Sequence, residues 1–243
     1  MSVKESVVNL IFPRRCPVCG EIVQPEGALI CPACIPKLSP VRQPTCKKCG
    51  KELFSEADEY CPDCLRHRRT FDCGVALLNY NEAAAASVAA VKYRNRREYL
   101  DFYAEAIVRR YGKWLSRQKA DALIPVPVHP ARRRKRGFNQ AEELAKRIGA
   151  LTGLPVQADL LIRTRKTAPQ KELNPAERLA NLNRAFAVDP SYQGGNASRM
   201  PRRVILVDDI YTTGSTVEAC ARALKDAGAQ YVSFVAICIS YIR

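Results

Sequence analysis

Residues 204–216 read VILVDDIYTTGST, and the fold of this chain turns on them. Val204 to Val207 form a strand of the kind buried on both faces, because nothing polar interrupts the run. At its C-terminal edge it delivers two adjacent carboxylates, Asp208 and Asp209. The small-residue turn Thr212, Thr213, Gly214, Ser215 and Thr216 then opens a helix that runs from Ser215 to Ala227 and stops at Gly228. In open α/β sheets that edge is where ligands bind. Backbone N–H groups, hydroxyls and a helix N-terminus in one turn make a cradle for a phosphate. Carboxylates beside it would repel a second phosphate and suit the vicinal hydroxyls of a ribose instead.

From Phe71 onward the sequence alternates long helical stretches with short β-branched runs, the pattern of a parallel sheet with covering helices. Ala83 to Val91 and Glu98 to Trp114 read as helices. Ala122 to Val128 reads as a strand, followed by a basic loop and a helix over 139–152, where Asn139 caps the start and Gly153 ends the run. Leu160 to Thr164 and Tyr231 to Ile239 read as further strands, and Asp189 to Pro201 as a surface loop. The fold class is therefore α/β.

The first 72 residues follow a different rule. Eight of the chain's 11 cysteines form four CxxC pairs: Cys16 and Cys19, Cys31 and Cys34, Cys46 and Cys49, Cys61 and Cys64. The second four repeat the first at an offset of 30 residues, an internal duplication. CxxC brings two thiolates from one tight turn to one tetrahedral ion, and Gly20 and Gly50 supply the positive φ that such knuckles often need. Two four-thiolate sites result, with zinc favoured for a structural role and a rubredoxin-like iron site having similar spacing. Local grouping closes the shortest loops, and a cross-braced grouping is its main competitor. A segment this poor in large apolar side chains needs metal to fold, so the ribbons read first as structural and second as a nucleic-acid surface. Cys73, Cys220 and Cys238 lie outside the repeat and read as ordinary buried thiols.

The 243 residues are 47% hydrophobic and 26% charged, which excludes a disordered chain. The 39 Lys and Arg against 24 Asp and Glu give a net +15, pointing to a polyanionic or phosphorylated partner. The excess is uneven, with 11 bases against 9 acids up to Asp72 and 28 against 15 beyond it. Neither Val7 to Phe12 nor Ala83 to Val91 approaches the roughly 20 apolar residues a membrane span requires. A soluble, cytoplasmic protein without membrane insertion is expected.

Over all thirteen positions VILVDDIYTTGST resembles the phosphoribosyl-pyrophosphate (PRPP) signature of the type I phosphoribosyltransferases. Together with PVPVHPARRRKRGFNQ (125–140), TAPQKELNPAERLANLNRAF (167–186) and the cysteine modules, it resembles the ComF/GntX family of competence-associated proteins over almost the whole chain. The resemblance implies a double zinc ribbon over 1–72 ahead of a phosphoribosyltransferase-like domain over 73–243. It implies that Asp208 and Asp209 hold the ribose hydroxyls, that Thr212, Thr213, Gly214, Ser215 and Thr216 hold the 5′-phosphate, and that Mg2+ accompanies PRPP. The acceptor is not readable, and no side chain stands out as a general base. Many family members act in DNA uptake, so single-stranded DNA and other competence proteins are candidate partners. A non-catalytic DNA-binding protein using the pocket as a ligand site is the alternative to a transferase.

Three further segments bear on the site. Arg132, Arg133, Arg134, Lys135 and Arg136 follow the Ala122 to Val128 strand, where this fold places its pyrophosphate loop, and five cations exceed what one pyrophosphate needs, so part of the run suits a nucleic-acid backbone. His129 at its mouth is a candidate phosphate donor. In the resembled fold Thr167 to Arg184, with Lys171, Arg178 and Arg184, is the flap over the reacting centre, and Lys92 is a weaker candidate of the same type.

Overall fold

The computed structural model describes residues 13–163, 185–192 and 200–240. The apolar run Val7 to Phe12, the expected flap Thr167 to Arg184 and residues 193–199 of the expected loop Asp189 to Pro201 lie outside the described residues.

The architecture is α/β. Four parallel strands, β1 (Cys73–Asn79), β2 (Ala122–Pro125), β5 (Arg203–Tyr211) and β6 (Tyr231–Ile239), form one sheet in the order β1-β6-β5-β2. Two short strands, β3 (Leu161–Arg163) and β4 (Phe186–Val188), pair antiparallel as a separate ribbon. The strand expected over Leu160 to Thr164 is described as Leu161–Arg163, and it lies outside the main sheet. β2 is shorter than the run of apolar residues suggested. It ends at Pro125, whose missing N–H is tolerable because β2 is an edge strand.

Two core layers follow from the strand's period of two. On β5 and β6, Val204, Leu206, Val232, Phe234 and Ala236 face one side, while Ile205, Val207, Val235 and Ile237 face the other. The first side is covered by α6 (Ser215–Asp226), the β3–β4 ribbon and residues of the second cysteine repeat, Cys46, Cys49 and Cys61. The second is covered by α2 (Glu82–Arg94), α3 (Tyr99–Arg117), α5 (Gln140–Thr152) and Cys16 and Cys34 of the first repeat. Local chemistry sets the helix ends. Asn81 caps α2 by accepting from the Ala84 N–H at 2.9 Å, Asn139 caps α5 by accepting from Ala141 at 3.1 Å, and Gly153 closes α5 at φ 77°.

The sequence repeat is also a structural one. Cys16 N–H bonds to Glu21 O at 2.7 Å and Gly20 N–H to Cys16 O at 2.9 Å, and Cys46 to Lys51 and Gly50 to Cys46 repeat both distances. A 3-10 helix (Pro32–Lys37) follows the third cysteine of the first repeat and α1 (Pro62–Arg66) that of the second. The second repeat is pressed against β1, since a Cβ at Gly50 would stand 2.6 Å from the Gly74 carbonyl oxygen. The segment between the repeats pairs with β1 as well: Val41 N–H bonds to Leu77 O at 3.1 Å and Asn79 N–H to Ser39 O at 2.7 Å.

Candidate functional site

β5 runs on to Tyr211, so Asp208 and Asp209 sit inside a strand and not beyond its end; pairing with β6 extends through Asp208 with Ala236 and Tyr211 with Ile239. Alternation then sends the two carboxylates to opposite faces. Asp209 meets Lys92 of α2 in an ion pair and lies 3.5 Å from Gln140 Nε2 at the start of α5. Asp208 turns to the α6 side, and its Oδ1 accepts the Asp209 N–H at 2.8 Å. Only 7% and 6% of these residues are exposed. Burial first, then the neighbouring Asp209 charge, raises the Asp208 carboxyl well above the usual carboxylate range.

The turn follows directly. Thr212 and Thr213 are exposed, Gly214 is buried at φ 77°, and Ser215 and Thr216 form the first turn of α6, whose N–H groups have no intrahelical acceptors. The Thr213 and Ser215 hydroxyls are 2.8 Å apart. Gly214 is required twice over. Its φ lies in the left-handed region, and a Cβ there would stand 2.2 Å from the Tyr211 hydroxyl oxygen beneath the turn.

The basic run is not a loop. Residues 130–136 form the short helix α4 (Pro130–Arg136), started by Pro130 with the His129 Nδ1 accepting the Ala131 N–H at 3.1 Å, and closed by Gly137 at φ 83°. Pro at the first helical position and Gly just past the last are the signals that mark it. Arg132, Arg133, Arg134 and Lys135 are exposed. Arg133 pairs with Glu142 at 3.2 Å, and Arg136 reaches Gln140 and lies over the Tyr93 ring at 5.5 Å. Through Gln140, then, the end of the basic helix touches the residue that touches Asp209. His129 is occupied as a helix cap. Gln140 and the Glu218 carboxylate of α6 carry no signal in the sequence, because each is defined by a partner far along the chain.

The eight repeat cysteines gather into two tetrads by local grouping. The sulfurs of Cys16, Cys19, Cys31 and Cys34 all lie within 4.8 Å of one another, as do those of Cys46, Cys49, Cys61 and Cys64. The donor set fits a tetrahedral thiophilic ion. Burial opposes ionisation of Cys16, yet the N–H groups of Cys19, Cys31 and Val18 bring it down to about 7. Burial, then Cys19 and Cys16, push Cys34 up to about 12. Thiols so close resist gathering negative charge without a cation among them, which supports structural Zn2+ at both tetrads. Outside them, Cys220 and Cys238 are fully buried, and Cys73 is half-buried with Tyr231 Oη at 3.3 Å.

Residues 7–65 match the double zinc ribbon domain, and residues 98–241 match the phosphoribosyl transferase domain. Competence protein F of Haemophilus influenzae is 30% identical over 193 residues, spanning 78% of this chain and 82% of that protein. The DNA utilization protein YhgH of Salmonella typhimurium is 28% identical over 94% of this chain and 98% of its own length. Competence protein ComFC of Streptococcus pneumoniae is 26% identical over 77% and 84%.

Proposed function

Because the chain belongs to the ComF/GntX family, with a double zinc ribbon ahead of a phosphoribosyl transferase domain, we propose that it binds PRPP with Mg2+ and acts as a type I phosphoribosyltransferase in the cytoplasm. On this reading residues 1–72 are the ribbon module and residues 73–243 the phosphoribosyltransferase-like domain. The observation that carries it is the juxtaposition of Asp208 and Asp209, within the C-terminal half of a central parallel strand, with a positive-φ glycine turn at a helix N-terminus.

Thr212, Thr213, Gly214, Ser215 and Thr216 receive the 5′-phosphate on N–H and hydroxyl donors. Asp209, beside Lys92 and Gln140, accepts from one vicinal ribose hydroxyl, and Asp208, which faces the α6 side in the chain without ligand, turns toward the strand end to accept from the other, the 3′- and 2′-hydroxyls in the roles the resemblance implies. Lys92, now paired with Asp209, exchanges that carboxylate for the pyrophosphate when the ribose enters. Mg2+ bound with PRPP would supply further charge screening for the pyrophosphate. As the bond from ribose C1 to pyrophosphate breaks and the acceptor's bond to C1 forms, positive charge grows on the ring and negative charge on the leaving group. The carboxylates stabilise the first, and Lys92 with the cations of α4 the second.

A second reading has its own observation. Arg132 to Lys135 present exposed cations on one short helix, and relatives are named for DNA utilization. Single-stranded DNA held on that helix, with PRPP as a bound effector and competence proteins as partners, suits that surface. Calorimetry with PRPP and Mg2+, beside a salt titration of single-stranded DNA binding, tests both. Saturable PRPP binding lost in the Asp208→Asn, Asp209→Asn protein supports the PRPP site that both readings use, and release of pyrophosphate from PRPP on adding a nucleobase acceptor favours the transferase. PRPP affinity unmoved by that change, with DNA binding abolished by neutralising Arg132 to Arg136, would overturn it.

A further inference from the structure

The linker between the second cysteine tetrad and β1 makes contacts that ligand binding does not require. Asp63 lies within the knuckle Cys61-Pro62-Asp63-Cys64, between two of the gathered cysteines. Its Oδ2 accepts from Arg69 Nη2 at 2.8 Å, and that nitrogen also reaches the Thr213 carbonyl oxygen at 3.0 Å. The Arg69 side chain is 7% exposed, and a guanidinium so buried is tolerable only while paired. Lys51 Nζ, equally buried, stands 3.7 Å from the same Asp63 oxygen. The next linker residue, Thr70, donates its N–H to the two Glu218 carboxylate oxygens at 3.0 and 2.8 Å. Glu218 in turn closes the first turn of α6, its N–H on the Gly214 carbonyl at 2.8 Å. Two consecutive residues therefore grip the turn at Thr213 and at Glu218.

The first repeat lacks every part of this chain of contacts. At the 30-residue offset Asp63 corresponds to Ala33, Lys51 to Glu21, Arg69 to Ser39 and Thr70 to Pro40. Its outgoing ion pair runs elsewhere, from Arg14 to Asp101 of α3 at 2.7 Å. The two tetrads are thus alike as metal sites and unlike in what they touch.

We propose that the second tetrad, when loaded, sets the conformation of the phosphate turn through Asp63 and Arg69, and that the first tetrad does not. The metal fixes the knuckle, the knuckle fixes Asp63, and Asp63 holds Arg69 against the Thr213 carbonyl. In a trans peptide the C=O of Thr213 and the N–H of Gly214 point in opposite directions. Pinning the carbonyl toward Arg69 turns the Gly214 N–H away from it, outward for an anion. Arg69 is a positioning residue acting through the backbone. The assignment of the turn to a phosphate rests on the function proposed above, whereas the coupling belongs to the chain without ligand.

Hydrogen exchange on the full-length zinc-loaded protein without PRPP, read at the Glu218 amide, tests the coupling. Arg69→Gln should keep two zinc per chain and accelerate exchange there by about tenfold or more, with α3 amides unmoved. Asp63→Ala, which installs the residue of the first repeat, should do the same. Removing the second site with Cys61→Ser and Cys64→Ser should give one zinc and the same acceleration. Removing the first with Cys16→Ser and Cys19→Ser should give one zinc and a protected Glu218 amide. Unchanged exchange in zinc-replete Arg69→Gln, or equal acceleration from losing either tetrad, would overturn the proposal. PRPP titration of the wild-type protein separates the two ideas: failure to bind removes the ligand reading and leaves the exchange result to decide the coupling.

Discussion

Asp208 is held where a carboxylate is least comfortable, buried and next to a second one. A carboxyl whose folded pKa is raised contributes its full stability below the unfolded pKa and loses it as pH rises through the folded one. The protein therefore carries the largest penalty from Asp208 at neutral and alkaline pH. Asp208→Asn cannot ionise, so it should melt about 3 °C or more above wild type at pH 8, the gap narrowing as pH falls, with both proteins compared at each pH. An equal or lower melting temperature at pH 8 would count against a strained carboxylate. Function should move the other way. Changing Asp208 and Asp209 together to Asn weakens two charge-assisted hydrogen bonds worth roughly 1.5–3 kcal/mol each, so PRPP affinity should drop at least about tenfold while zinc content holds. These residues are legible in the sequence because adjacent acids after a fully apolar run have few reasons to exist. Lys92 was harder to single out: nothing in VKYRNRREY distinguishes the lysine that reaches Asp209 from the arginines of a basic helix end.

At the scale of elements, the turn between β5 and α6 has little room for change. Gly214→Val would add a strained φ and a clash with Tyr211, so PRPP binding should be abolished. Calorimetry on the folded variant checks it, and retained affinity would remove this turn from the site. The helices could be read because their ends carry caps: Asn139 and Gly153 bracket α5 in sequence as they do in space. β1 was hidden. CGVALLN opens with a cysteine, which looks like the tail of the cysteine module, and a glycine, which is a weak strand former. Gly74 is there because the Phe234 ring occupies the space of its side chain, with a Cβ coming within 2.0 Å of the ring. Phe234 also stacks on Tyr211 at 4.8 Å and meets Phe71 edge-on at 5.2 Å. Gly74→Ala should cost about 1–3 kcal/mol by overpacking this cluster, measurable by denaturant unfolding. Such a reason is a three-dimensional one, invisible to any local pattern.

For the whole molecule, the sequence suggested two modules in series, while the structure gives them common interiors. Cys46, Cys49 and Cys61 lie in the layer that holds Phe234 and Leu206, and Cys16 and Cys34 in the layer that holds Tyr103 and Ile237. Metal removal should consequently do more than unfold the ribbons. A strong chelator should release two zinc ions per chain and lower the melting temperature of the entire α/β body, followed by circular dichroism. Survival of an unaltered main transition would show that the layers are independent. No helix among the described residues is long and apolar enough to cross a membrane. The pairing of residues 39–41 with β1 has an effect on other copies of this protein as well. β1 is the outermost strand of an open parallel sheet, and its unpaired backbone groups would otherwise template strand addition from a neighbouring chain. The stretch between the ribbons acts as a selvedge, finishing that border so it cannot be extended. Val41→Pro in the full-length chain, which removes the N–H that bonds to the Leu77 carbonyl, should make association rise with concentration in sedimentation experiments while zinc content holds, and a variant as monodisperse as wild type would show that this pairing does not guard the edge.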